Sequence, residues 1–403
     1  IKDLTIAYED VPTTYKGNVY QNSIWTGTVE SIKVYFLEPH HPKEFFNRGC
    51  FYGCEDDSER YLYFSRAVAD FLVKGPLKPD IVHIHDWQTA AIAPIFKELY
   101  PTIAPKIVFT IHNLEYQGQV APFNLDWIGL PSTKLLNPDL MGDYFNPRDL
   151  NLLKGAIAYS DYITTVSPTY AWEIMTPEGG RGLNRFISRF KNKFEGILNG
   201  LDYIYWNPET DRYLPAPYSS RITPQSKTDS KTLDKKGYVK RILREKLMLS
   251  EEHMPIVGCV TRLVPQKGIE LIKQALKRTL EKNGQFVLLG SSPIPEITEE
   301  FHELKQKYDD HPHVHLVLHH QEDIAHLIYG GSDLFIVPSL FEPCGLTQLI
   351  ALRYGSIPVV RKTGGLADTI FDIDYSPKSF NETNGFVFDH PDYLKDLVEI
   401  ALM

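Results

Sequence analysis

Residues 256–282 read IVGCVTRLVPQKGIELIKQALKRTLEK, and the change of period within this stretch decides the fold. Ile256–Thr261 is a short, continuously apolar run, the pattern of a strand covered on both faces. Ile269–Lys282 repeats its apolar residues at helical spacing instead. Pro265 and Gly268 punctuate the loop between them. The same alternation recurs in both directions. Towards the C-terminus, strands are expected at Gln285–Gly290, Val314–His319, Leu334–Pro338 and Pro358–Arg361, with helices at Glu322–Gly330 and Leu346–Tyr354. Towards the N-terminus, strands are expected at Ile32–Glu38, Ile81–His85, Ile107–His112, Tyr162–Val166 and Phe194–Leu198. Helical patterns cover Ser65–Val73 and Gln88–Leu99. Short β-branched strands alternating with helices imply parallel sheets with helices on both faces.

The alternation breaks between Asn207 and Ser250, a stretch rich in Pro, Ser, Thr and Lys with one helical segment, Lys236–Leu247. The chain therefore reads as an α/β protein of two doubly wound domains, 1–204 and 205–403, joined near Tyr205–Tyr218. Ligands of such sheets bind outside the C-terminal strand ends, so a cleft between two such domains is the expected site.

A net charge of −9 argues against a general affinity for nucleic acid or an anionic membrane, so an anionic ligand must be held by a few local cations. Four cysteines in 403 residues point to a reducing compartment, with Cys50 and Cys54 read as loop thiols. No apolar run approaches the roughly 20 residues of a membrane span. Both ends read as interior: the chain opens on Ile1 in strand-like material and closes inside the amphipathic pattern Tyr393–Met403.

Five strand-to-helix junctions carry the chemistry. His83-Ile84-His85-Asp86-Trp87-Gln88-Thr89 ends a strand, with His83 and His85 on one face. Asp86 can cap the following helix or meet a ligand hydroxyl. A metal site through these three residues is disfavoured, because adjacent strand residues diverge. Phe109–Gly118 (FTIHNLEYQG) brings His112 to the same rim, where an imidazole can bond a ligand. Thr261–Gly268 (TRLVPQKG) sets Arg262 and Lys267 beside a helix start, a fit for a diphosphate. Ser339–Gln348 (SLFEPCGLTQ) offers the free amides of Cys344, Gly345 and Leu346, with Glu342 beside them as a sugar acceptor or a helix-capping carboxylate. Lys362–Thr369 (KTGGLADT) repeats the strand–glycine–helix plan, its glycines permitting close approach to a ligand or a tight turn. Gly290-Ser291-Ser292 is a weaker instance of that plan. No phosphate-binding Walker sequence, dinucleotide fingerprint, nucleophile elbow or zinc-protease helix is present. Asp372-Ile373-Asp374 is a D-x-D triplet, read as an acidic loop and not as a metal site.

Together the segments HDWQT, FTIHNLEYQG, GILNGLD, TRLVPQKG, FIVPSLFEPCGLTQL and RKTGGLADT resemble bacterial glycogen synthases and plant starch synthases, the retaining transferases of glycosyltransferase family 5. Glu38-Pro39-His40-His41-Pro42 and Ser291-Ser292-Pro293 look most like the soluble starch synthase III/IV type and its chlamydial glycogen synthase relatives. The resemblance runs from about residue 20 to the end. It implies a GT-B fold and transfer of glucose from ADP-glucose to the non-reducing end of an α-1,4-glucan, releasing ADP. By the resemblance, Arg262 and Lys267 hold the donor diphosphate and Glu342 contacts the glucose. The amides of Cys344, Gly345 and Leu346 support the sugar, Thr347 touches phosphate and Gly290 lines the donor side. His112, Asn199 and Asp86 correspond to residues around the transferred glucose and the acceptor, expected on the first domain. No cofactor or metal is implied, and no nucleic acid or membrane partner. The implied location is cytoplasmic in a bacterium or plastidic in a plant.

Two departures bear on activity. The family's K-x-G-G-L loop precedes the region where this chain starts, and its final helices follow the region where it stops. The place of an aromatic ring against adenine is taken by His319-His320-Gln321. A non-catalytic glucan-binding protein on the same fold is the competing reading. A GT-B transferase for another sugar is a third, weakened because Ile350 stands where such enzymes often carry a second Glu.

Overall fold

The computed structural model describes residues 2–220, 229–251 and 253–402. Residues 221–228, part of the linker expected from sequence, lie outside the described residues, as do Ile1 and Met403. The chain forms two compact units, one of Ile1–Val166 and Ala171–Ile197, the other of Ser167–Tyr170 and Leu198–Met403. The division thus falls after Ile197, where the sequence suggested 204/205. The reason is packing: Leu201 and Trp206 lie against the second unit's core.

The second unit holds one six-stranded sheet. Its spatial order is Val314–Val317, Gln285–Leu289, Ile256–Val260, Leu334–Val337, Ile357–Arg361, Phe386–Phe388, and every pairing is parallel. In chain order this is 3-2-1-4-5-6, the doubly wound arrangement that reverses between strands one and four. Strand residues alternate between two cores. Ile256, Val287 and Leu289 join one with Val239, Leu243, Ile328 and Tyr354. Val257, Cys259 and Leu288 join the other with Ile272, Phe301 and Leu394. This two-sided burial is why the strands read as unbroken apolar runs. Helix Pro295–Tyr308 was not expected from sequence; Phe301 is its one fully buried residue, so its apolar stripe is nearly invisible.

The first unit has a four-stranded parallel sheet ordered Phe194–Gly196, Tyr162–Thr165, Lys106–Ile111, Ile81–His85. Helices Asp57–Lys74, Ile92–Leu99 and Leu152–Tyr159 pack with one another beside it. The single helix expected over Gln88–Leu99 is two, Asp86–Ala90 and Ile92–Leu99. Pro94 sits in the first turn of the second, where a missing N–H costs nothing. A separate antiparallel sheet joins Lys2–Tyr8, Asn22–Val29 and Ile32–Pro39. Among the described residues no helix is long and apolar enough to cross a membrane.

The cysteine reading is corrected. Cys50 and Cys54 are joined by a disulfide, while Cys259 and Cys344 are free and buried. Positive φ at Gly49 and Gly53 folds the loop back on itself, and Arg60 donates to the Cys50 carbonyl at 2.6 Å. Residues four apart therefore meet.

Candidate active site

In the second unit, the loops after strands Ile256–Val260 and Leu334–Val337 emerge where the strand order reverses. They interlock through backbone. Gly268 has φ +72° and opens helix Ile269–Glu281, and a side chain there would collide with the Pro338 carbonyl, whose carbon would lie 3.2 Å away. Leu340 N–H donates to the Gln266 carbonyl at 2.8 Å, and Gln266 Nε2 to that of Phe341 at 3.1 Å. On this frame Lys267 Nζ meets Glu342 Oε2 at 2.5 Å. Ser339 Oγ donates to the same oxygen at 2.8 Å. Among the described residues, Glu342 Oε1 and the exposed Arg262 guanidinium have no protein partner.

The third loop explains its glycines. Gly365 N–H donates to the Glu342 carbonyl at 3.0 Å, and a Cβ on Gly365 would fall 2.5 Å from Cys344 Cα. A Cβ on Gly364, at φ +43°, would press on Glu342. These glycines allow close approach to the neighbouring loop. Gln348, fully buried, donates from Nε2 to the carbonyls of Cys344 (3.2 Å) and Gly345 (2.9 Å). Gly345 has φ +74° and sits against Gln348 Oε1. Ser167 Oγ donates to the Pro343 carbonyl at 2.7 Å, and Thr169 bonds Asp368 through N–H (2.8 Å) and hydroxyl (2.6 Å). These bonds tie the loop to its neighbours. The amides of Cys344, Gly345 and Leu346 donate to no protein acceptor among the described residues, and Thr347 starts the helix Thr347–Arg353. An anion or hydroxyl oxygen placed there would meet free N–H groups.

One donor-side expectation changes, and the packing at Gly290 is defined. Asn199 belongs to the second unit, not the first, and its backbone N–H approaches the Cys344 thiol. Burial raises that thiol's pKa, with the Asn199 amide opposing, so it stays neutral. Gly290 N–H is already bonded to the Val317 carbonyl at 2.9 Å. A Cβ there would collide with the Thr261 carbonyl and lie 3.1 Å from Leu263 Cγ, so Gly290 lets two strand ends touch and offers no amide to a ligand. Ser339, Gln348, Ser167 and Asp368 were missed as supporting residues. Ser167 and Asp368 bond partners remote in sequence, Ser167 and Pro343 being 176 positions apart, whereas Ser339 and Gln348 bond residues three or four positions away.

In the first unit, Asp86 does not cap its helix. It sits at φ +53°, and Oδ1 accepts the His112 N–H at 2.8 Å and the Asn113 N–H at 3.4 Å. Burial pushes its pKa up, opposed by those amides. Asp86 thereby fixes the loop that carries His112. The register pairs His85 with Thr110 and Thr110 with Thr164, so one sheet face carries a polar file. His85 Nδ1 lies 3.0 Å from His112 Nε2, and His83 Nε2 lies 2.7 Å from Thr110 Oγ1, which meets Thr164 Oγ1 at 2.6 Å. Burial, reinforced by the neighbouring imidazoles, pulls the His85 pKa down to about 4. His85 is therefore neutral near pH 7. Gly118, at φ +67°, lets the second loop press on the Trp87 ring, 2.8 Å from where a Cβ would stand.

Among the described residues no group of three or more His, Cys, Asp or Glu is arranged to hold a metal ion. Asp372 of the D-x-D triplet accepts the amides of Asp374 (2.9 Å), Tyr375 (3.0 Å) and Val387 (2.6 Å), which orders a turn. His320 is open to solvent, 3.3 Å from Glu322.

Comparison with known proteins agrees with this geometry. The starch synthase catalytic domain family matches residues 1–189, and the glycosyl transferases group 1 family matches residues 240–402. The chain is 60% identical over 395 residues to a glycogen synthase of Protochlamydia amoebophila, covering 97% of this chain and 79% of that one. It is 49% identical over 400 residues to probable starch synthase 4 of Arabidopsis thaliana, of whose length it spans 37%. The catalytic domain of starch synthase IV from Arabidopsis thaliana, solved bound to ADP and acarbose, superposes with a TM-score of 0.90 at 46% identity, over all of this chain and 84% of that one. A sucrose-phosphate synthase from Thermosynechococcus elongatus shares the fold at 18% identity and a TM-score of 0.54. Each unit is thus one of the parallel-sheet α/β domains of a GT-B glycosyltransferase, and the chain belongs to the glycogen synthase and starch synthase family.

Proposed function

We propose that this glucosyltransferase uses ADP-glucose and extends the non-reducing end of an α-1,4-glucan with retention of configuration. The observation that carries the reading is one loop rim bearing Lys267 on Glu342, an unpartnered Arg262 and the unpartnered amides of Cys344, Gly345 and Leu346. Arg262 and Lys267 supply positive charge for the leaving diphosphate, and Thr347 touches phosphate. Glu342 Oε1 accepts from a glucose hydroxyl, while fixed amide dipoles stabilise charge developing in the transition state. Asn199 supports the donor side through Cys344. On the first unit, Asp86 positions His112 for the sugar. The glucose C1–O bond to the diphosphate breaks as a bond to the acceptor O4 forms, and the acceptor proton passes to the departing phosphate oxygen. No protein nucleophile and no metal is required in this scheme, because the cations and amides carry the electrostatic load. The ADP and acarbose bound to the Arabidopsis starch synthase IV domain support an adenine nucleotide and a glucan as ligands. The cytoplasm of a bacterium or a plastid is the proposed location.

The test is incorporation of labelled glucose into glycogen by the full protein, comparing ADP-glucose with UDP-glucose. ADP-glucose is expected to be the better donor by kcat/KM. Equal use of the two would refute the donor assignment. Glycogen binding with no incorporation from either would favour the non-catalytic reading.

A further inference from the structure

We propose that Ser339 is a positioning residue for glucosyl transfer, fixing one oxygen of Glu342 so that the other faces substrate. The inference rests on the reading of Glu342 as the carboxylate that contacts the sugar. Ser339 is 1% exposed and Glu342 6% exposed, so neither side chain exchanges its partner for water. The serine hydroxyl (2.8 Å) and the Lys267 ammonium (2.5 Å) both donate to Oε2. The two donors differ in rigidity. Lysine reaches the carboxylate on a flexible four-carbon stem, and a bound diphosphate competes for its N–H groups. Ser339 is short, and its backbone is clamped on both sides: Gly268 packs on the Pro338 carbonyl and Leu340 N–H is bonded to Gln266. When Lys267 turns towards phosphate, the serine keeps the carboxylate from rotating. The geometry thus divides the labour at Glu342, one oxygen anchored and one presented.

The test measures kcat for glucose incorporation from ADP-glucose into glycogen, ADP binding by calorimetry and thermal stability, on the full chain. Ser339→Ala is expected to lower kcat about tenfold to a hundredfold, the range of a hydrogen bond to a charged group. ADP affinity should stay at the parental value, because Arg262 and Lys267 remain. Ser339→Cys, which fills similar space with a weak donor, should fall likewise and covers the case in which the alanine variant does not fold. In a Glu342→Gln background, adding Ser339→Ala should cost little more, since the two residues act as a unit. Parental kcat in both serine variants would overturn the proposal. So would a loss of the same size in both backgrounds, or one matched by equal losses of ADP affinity and stability. If Glu342→Gln itself keeps parental kcat, the role of Glu342 fails, which is a different result.

Discussion

Replacing Gly365 by alanine sets two known effects against each other, and the geometry decides between them. In a helix interior alanine is favoured over glycine by about 1 kcal/mol, and Gly365 lies in the helix Gly364–Thr369. Here, however, the added Cβ would stand 2.5 Å from Cys344 Cα and 2.6 Å from its carbonyl carbon, with the carbonyl oxygen nearer still. Ordinary carbon–carbon contact is about 3.5–4.0 Å, so the loop must retreat by roughly 1 Å. Those atoms are backbone and cannot turn aside as a side chain would. Overpacking of this kind costs about 1–3 kcal/mol, which matches or exceeds the helix gain. A net loss of up to about 2 kcal/mol would lower the melting temperature by up to roughly 8 °C. Activity is more sensitive, because the displaced segment carries Glu342 and the unpartnered amides. A misplacement of about 1 Å is worth on the order of 100-fold in rate. The assay pairs thermal unfolding with kcat for glucose incorporation. Gly237→Ala is the control: this helical glycine has nothing within 4 Å of its Cβ position, so stability should rise by about 0.5–1 kcal/mol with activity unchanged. A Gly365→Ala protein with a raised melting temperature and parental kcat would refute the stacking of the two loops.

Arg262→Ala should raise KM for the donor with no loss of stability, since the exposed guanidinium has no protein partner among the described residues; a lowered melting temperature would count against this. Lys267→Met should lower kcat and also destabilise by up to about 3 kcal/mol, because it strips a buried carboxylate of its cation; calorimetry of unfolding measures the second effect. Asp86→Asn keeps an acceptor for the His112 amide and should fold normally, whereas Asp86→Ala should cost about 1–3 kcal/mol by leaving that N–H unpaired; the difference in melting temperature is the readout. Asp161 is partly buried, which opposes its ionisation, but the Ile107 amide and the Lys97 and Lys106 ammonium groups outweigh this and hold its pKa at about 2 against an ordinary 3.8. With the folded value depressed, its contribution is present above about pH 4 and is lost as the pH falls towards 2. Acid unfolding of Asp161→Asn should lack that component, and an identical pH profile would dismiss it.

The features readable before folding were local or repetitive. The strands Ile256–Val260, Gln285–Leu289 and Leu334–Val337 were legible because burial on both faces leaves an unbroken apolar run. Arg262, Lys267 and Glu342 were legible as candidates because each follows a strand, where such sheets bind ligands. The order of strands, and so the meeting of Lys267 with Glu342 across 75 positions, was decided by tertiary structure. So were the exceptions. Gly290 and Gly365 are glycines because another backbone passes where a side chain would stand, and Asn199 falls to the second unit because Cys344 and that unit's core claim its neighbours. Asp86 holds the His112 loop through a bond across 26 positions, which no spacing rule pairs; Ser339 and Glu342 are only three apart, but Lys267 joins them from 75 positions away. A residue's chemistry is written in its type, but its partner is whichever group the packing brings within about 3 Å, and that is a property of the whole fold.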